Sequence, residues 1–206
     1  MRIVVTGFGK YTSVPNPTEV IYNDIKSGAF AIPDVELIPV LLDVDFELAW
    51  TNELEPKLVE IAKGGAIDAL ISFGQDPSSL KVKFEEKAYN RRITSEEDWH
   101  KIPIIPEKGT DYTIPTKLPI DKLYNYFVGL GDSSLLTPAK NDSDESAYLC
   151  NYIFFEEMYY AKSIPVRGFV HLGNWNQTEY NAKAVKTGKA VLNELANILK
   201  RAQVPA

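Results

Sequence analysis

Cysteine occurs once in this 206-residue chain and histidine twice. One thiol cannot close an intrachain disulfide, so the fold must rest on burial, and a reducing, cytoplasmic setting is expected. The Asp and Glu residues form no cluster that reads as a metal site, and neither a metal nor a cofactor is expected. Positive charge is in the minority, with 22 Lys and Arg against 28 Asp and Glu and a net charge of -6. A chain of that sign lacks the basic footprint that displaces counterions from phosphates, which argues against a nucleic-acid partner. No apolar run approaches the roughly 20 residues that cross a bilayer, so no membrane partner is expected. The opening Met-Arg-Ile-Val-Val-Thr-Gly is a strand and a turn, without the longer apolar core and cleavage site of a secretion signal. Repeats, low-complexity tracts and interdomain linkers are missing as well, which points to a single domain over residues 1–206.

What is present is 45% hydrophobic and 24% charged residues, ordinary for a globular chain. Residues 2–6 form a compact apolar run closed by Gly7, as a buried first strand would be. Asn16-Pro17-Thr18-Glu19 is a helix entry, with Pro in the first turn and an acidic residue at the positive end of the dipole. A strand is expected over 35–42, a helix over 46–63 ended by Gly64-Gly65, and a strand over 66–73. This alternation predicts a three-layer α/β/α fold around a mostly parallel, twisted sheet. The segment 81–89 alternates apolar and charged residues like a strand. Residues 91–119 carry four prolines and read as a long loop with a function or mobility of its own. A helix over 120–128, a short strand over 135–139, a buried aromatic helix over 147–161, a strand over 166–171 and a final helix over 178–203 complete the chain.

Two residues carry candidate chemistry. Cys150 follows the polar run Ser143-Asp144-Glu145-Ser146, which can cap a helix, so the thiol falls in its first turn or two, where the dipole favours a thiolate. Taken alone, a lone free cysteine is more often a buried small hydrophobe. His171 shifts the balance, because Gly168-Phe169-Val170 places it at the carboxyl end of a strand, the edge where open α/β sheets bind ligands. His100 lies in the polar, proline-containing stretch and reads as surface. A Cys/His pair also needs a third group to orient the imidazole. Glu85 and Glu86 are both available, and alternation puts them on opposite faces without choosing between them.

The chain resembles pyroglutamyl peptidase type I, also called pyrrolidone carboxyl peptidase. Four segments carry the resemblance, in the family's order. They are Val5-Thr6-Gly7-Phe8 with Tyr11 and Asn16-Pro17-Thr18, then Gly74-Gln75 with Glu85, Ala88 and Asn90, then Tyr148-Leu149-Cys150-Asn151, and finally Gly168-Phe169-Val170-His171. The resemblance implies a cysteine peptidase that removes N-terminal pyroglutamate through a thioester. Cys150 would be its nucleophile, His171 its base and then acid, and Glu85 the residue that orients His171. It also implies Phe8, Tyr11 and Gln75 as walls and reader of the lactam, a peptide or small amide as substrate, and a homo-oligomer, a tetramer in the family. Backbone N–H groups around Cys150 would hold the oxyanion. Departures mark a divergent member: Ser78 and Ser79 stand where the family has Gly and Arg, Tyr11 where it favours Phe, and Asp144-Glu145-Ser146 where it has a run of small residues. The added carboxylates oppose thiolate formation unless they face solvent. The alternatives are a cysteine amidase with the same triad and another acyl group, and a non-catalytic binding protein on the same fold.

Overall fold

In the computed structural model, which describes residues 1–9, 16–46, 48–93, 101–141, 148–174 and 178–203, the apolar runs become the strands of one sheet. The first half of the chain gives β1 (Arg2–Phe8), α1 (Pro17–Lys26), β2 (Glu36–Leu42), α2 (Glu55–Lys63) and β3 (Ala69–Asp76). The next segment supplies β4 (Lys81–Glu85), β5 (Lys87–Tyr89), β6 (Arg92–Ile93), β7 (Lys101–Ile102) and β8 (Thr113–Pro115). The chain ends with α3 (Ile120–Leu130), β9 (Thr137–Asn141), α4 (Leu149–Tyr160), β10 (Val166–Gly173) and α5 (Thr178–Gln203).

The six-stranded sheet has the order β2-β1-β3-β10-β4-β9. Its first four strands run parallel, and the connections β1–α1–β2 and β2–α2–β3 are the helical crossovers that parallel pairing requires. β4 returns antiparallel to β10, with β9 parallel to β4. One face buries Ile3, Val5, Ile71, Phe73, Val170 and Leu172 against α1, α3 and α5. The other buries Val4, Phe8, Leu70 and Phe169 against α2 and α4. Each large side chain so buried contributes roughly 1.5–3 kcal/mol. The result is the expected α/β/α sandwich with a mostly parallel sheet.

Several local expectations change. The helix expected over 46–63 begins as π-helical turns at Ala49–Leu54 and becomes α-helical only at Glu55, next to Pro56. The pattern of apolar residues there is close to helical spacing in either geometry, so periodicity could not separate them. The strand expected over 66–73 runs from Ala69 to Asp76. The segment 81–89 is two strands that part at Glu86, where β5 leaves the main sheet to pair with β8. The stretch 91–119 is not structureless in its described part, since it holds β6 paired with β7, a 3-10 turn at Pro106–Lys108, and β8. Asn90 pins that excursion. Its side chain donates to the carbonyls of Ile105 (2.8 Å) and Gly109 (2.7 Å) and accepts from the Ile105 N–H (2.7 Å). α3 ends at Gly131, whose φ of 57° is the left-handed cap that glycine adopts without strain.

α4 is buried nearly all round, because the sheet lies under it and the β5–β8 and β6–β7 ribbons lie beside it. It carries two buried carboxylates. Burial pushes Glu157 up to about 8, although Ser72 and Arg167 both act to lower it. Glu157 accepts from the Ser72 hydroxyl, which in turn accepts from Thr6 (2.6 Å), while its second carboxyl oxygen has no partner. The unfolded chain ionises this group near 4.5. Between that value and about 8 the folded state holds the extra proton, so this group lowers stability as pH rises through the window and adds no further slope above it. Urea unfolding should therefore show about 2–4 kcal/mol of loss between pH 5 and pH 8 that Glu157→Gln removes. A pH slope unchanged in that variant would place the proton elsewhere.

Candidate active site

α4 starts at Leu149, later than the expected 147, with Tyr148 in extended conformation before it. Cys150 is therefore its second residue. The first intrahelical bond runs from the Tyr152 N–H to the Tyr148 carbonyl, so the N–H groups of Cys150 and Asn151 precede it at the positive end of the helix. Asn151 ties this end down. Its side chain accepts from the Tyr89 N–H (2.9 Å) and donates to the carbonyls of Tyr89 (2.9 Å) and Arg91 (2.8 Å).

His171 lies near the carboxyl end of β10, opposite Gly74 on one side and Lys83 on the other. Its ring is hydrogen-bonded to Cys150 and, through Nδ1, to Glu85 Oε1 at 2.8 Å. A carboxylate cannot donate, so Nδ1 carries the proton there and Nε2 is left for the thiol. Burial opposes charge on this ring, but Cys150 and Glu85 outweigh it and hold His171 protonated, pushed up to about 10. Glu85 is buried and is itself held, since Asn141 Nδ2 donates to both carboxyl oxygens at 3.0 and 2.9 Å. Glu85, His171 and Cys150 thus form one line, running from β4 across β10 to the start of α4. The small cavity beside them, about 10 Å³, has room for about one water and is lined also by Lys87, Tyr89 and Phe154.

Gly74 makes this line possible. A Cβ at that position would stand 2.9 Å from Cys150 Sγ and 2.8 Å from the Phe169 ring. Gly74→Ala must therefore push the thiol off its place. Any reaction of Cys150 should slow by about 100-fold, with a stability loss of only about 1–3 kcal/mol. Alkylation and turnover rates within threefold of wild type would show that the thiol is not held where this contact puts it.

The remaining expected residues are more dispersed. Phe8 is buried, with its ring 6.5 Å from Phe169, which lies 4.9 Å from His171; it backs the site from two strands away. Gln75 follows Gly74, so alternation turns it to the opposite face from the thiol, and its side chain donates to Asn174 at 2.9 Å. Tyr11, His100, Asp144 and Glu145 lie outside the described residues. Asn141 and the anchoring roles of Asn90 and Asn151 were not foreseen. Asn90 and Asn151 stand inside the recognised motifs, whereas nothing in the residues around Asn141 marks it. Among the described residues, no group of three or more His, Cys, Asp and Glu could hold a metal ion, and no helix is long and apolar enough to cross a membrane.

No family model and no curated protein matches the chain. Solved structures do. The pyrrolidone carboxyl peptidase of the hyperthermophile Pyrococcus furiosus is 24% identical with a TM-score of 0.72, over 97% of this chain and 100% of that one. The pyrrolidone carboxyl peptidase of Thermococcus litoralis is 17% identical with a TM-score of 0.74, over 100% and 99%. That of Thermus thermophilus is 22% identical with a TM-score of 0.68, over 93% and 98%. At these identities the likeness establishes a shared fold along nearly the whole of each chain.

Proposed function

We propose that this chain is a cysteine peptidase that removes pyroglutamate from the N-terminus of peptides. The observation that carries the reading is the line Glu85–His171–Cys150 at the positive end of α4. The residues in it are those that the family's motifs would assign as catalytic. The fold shared with pyrrolidone carboxyl peptidases supports the same substrate class.

The chemistry follows from the positions. The Cys150 thiolate attacks the carbonyl that joins pyroglutamate to the next residue, and the negative charge moves to the carbonyl oxygen. The N–H groups at the start of α4, Cys150's own among them, are placed to receive that oxyanion. His171 gives its Nε2 proton to the departing nitrogen, the C–N bond breaks, and the pyroglutamyl thioester remains on Cys150. Water then attacks the thioester carbonyl while His171 takes its proton, the C–S bond breaks, and pyroglutamate leaves, with the Cys150 thiolate and the His171 imidazolium restored. Glu85 keeps the imidazole in the tautomer and orientation this sequence needs, and Asn141 keeps Glu85 in place. Phe8 would back the compact ring from behind Phe169, with Tyr11 as its other expected contact, whereas Gln75, turned to the far face and bonded to Asn174, is not placed to read the lactam.

The test is a peptide that begins with pyroglutamate, incubated with the protein and read by mass spectrometry beside the same peptide beginning with glutamine. Loss of the pyroglutamyl residue alone, leaving a new free N-terminus, is expected from the first and no change from the second. An intact pyroglutamyl peptide would overturn the reading. Removal of other N-terminal residues by Cys150 would assign the same triad to a different acyl group.

A further inference from the structure

Lys83 lies directly across from His171 in the antiparallel β10–β4 pair. It is two residues from Glu85, so both side chains project from the same face of β4, the face that carries the triad. Asp76 reaches it from β3, spanning β10, with Lys83 Nζ 2.6 Å from Asp76 Oδ2. Asp76 is itself fully engaged, because its other oxygen accepts from the Ser78 N–H (3.0 Å) and hydroxyl (2.6 Å). The carboxylate is a fixed strut, and the ammonium it holds retains two of its three donors. Lys87 also lines the small cavity beside Glu85, Cys150 and His171, with its Nζ 5.4 Å from the centre of the Tyr89 ring.

The side of the thiol on which Lys83 stands decides what it can meet. Phe8 lies on β1, two strands to one side of His171, whereas Lys83 lies on β4, on its other side in the strand order. His171 hands its proton to the departing amine, so the leaving part of the substrate sits on the His171 side, within reach of Lys83. We propose that Lys83, braced by Asp76, is an anion-binding group for the leaving portion, and that it selects substrates with a carboxylate next to the scissile bond. The proposal rests on the pyroglutamyl reading for its substrate, but not for the presence of a part-buried cation directly across from His171.

The experiment has two arms. In the first, kcat/KM is measured on pyroglutamyl peptides of one length whose second residue is Glu, Gln or Lys. Wild type should prefer Glu over Gln by about tenfold and disfavour Lys. Lys83→Gln should bring the Glu/Gln ratio to about two or below, and Lys83→Glu should invert it. Equal rates on Glu and Gln in wild type, or a preference that survives Lys83→Gln, overturn the assignment while leaving the reaction in place. In the second arm, Cys150 is alkylated with anionic iodoacetate and neutral iodoacetamide. The ratio of the two rates should fall by about fivefold in Lys83→Gln. If no pyroglutamyl peptide is cleaved at all, the proposed reaction fails, and this ratio still decides the cation: a fall sustains it and an unchanged ratio overturns it.

Discussion

Cys150→Ala should abolish hydrolysis, with a loss of at least about 10⁴-fold in kcat and no recovery at any pH. The thiolate is the attacking group, and neither the N–H groups of α4 nor His171 can replace the bond it forms with the substrate carbonyl. The variant should nonetheless fold. Cys150 is half-buried at a helix end, alanine is the best helix former, and removing one small sulfur there should move Tm by only a few degrees. It should also retain binding of pyroglutamate-capped peptides. Residual turnover within about 100-fold of wild type would remove Cys150 from the mechanism.

The second large effect separates two adjacent carboxylates. Glu85→Gln should lower kcat by about 10³–10⁴-fold, because the neutral amide no longer holds Nδ1–H and no longer stabilises the imidazolium. Glu86→Gln should stay within threefold. Glu86 lies where β4 and β5 part, and its charge is felt by Lys140 on the neighbouring strand. The two variants should also differ in pH dependence. In wild type His171 stays protonated up to about 10, so kcat/KM, which reports the free enzyme, should fall on the alkaline side only as pH rises through that value, where the acid for the leaving amine is lost. The Glu85 carboxylate is one of the causes that raise it, so Glu85→Gln should move this alkaline limb to lower pH, while Glu86→Gln should leave it in place. A limb that does not move in Glu85→Gln would mean that Glu85 does not hold the imidazolium.

The sequence was informative where a local rule has one physical meaning. The apolar runs 2–6 and 66–73 had to be buried strands, although β1 and β3 continue through Gly7 and Gly74, and the strand–helix–strand order of the first half had to give parallel pairing. Cys150 and His171 stood out because each is nearly unique of its kind, one before a buried helix and the other at a strand end. Elsewhere the deciding contact lies far along the chain. Glu85 and Glu86 are equivalent by local pattern, and what distinguishes them is the pairing of β4 with β10, which brings together residues 86 positions apart. Asn141 holds Glu85 across 56 positions, and no periodicity announces such a bond. The stretch 91–119 looked like a loop because its ordering comes from Asn90 and from pairings of two or three residues, too short to leave a pattern. Glu157 looked like part of an aromatic helix, and its burial against Ser72 follows only from where α4 crosses the sheet.

The most direct measurement is the release of one fluorophore from its pyroglutamyl, alanyl and prolyl amides, side by side, before and after one equivalent of iodoacetamide. The pyroglutamyl amide should turn over at least about 100-fold faster than the other two, and alkylation of the single thiol should end that turnover. A pyroglutamyl amide left intact by a protein whose Cys150 still alkylates stoichiometrically would contradict the assignment.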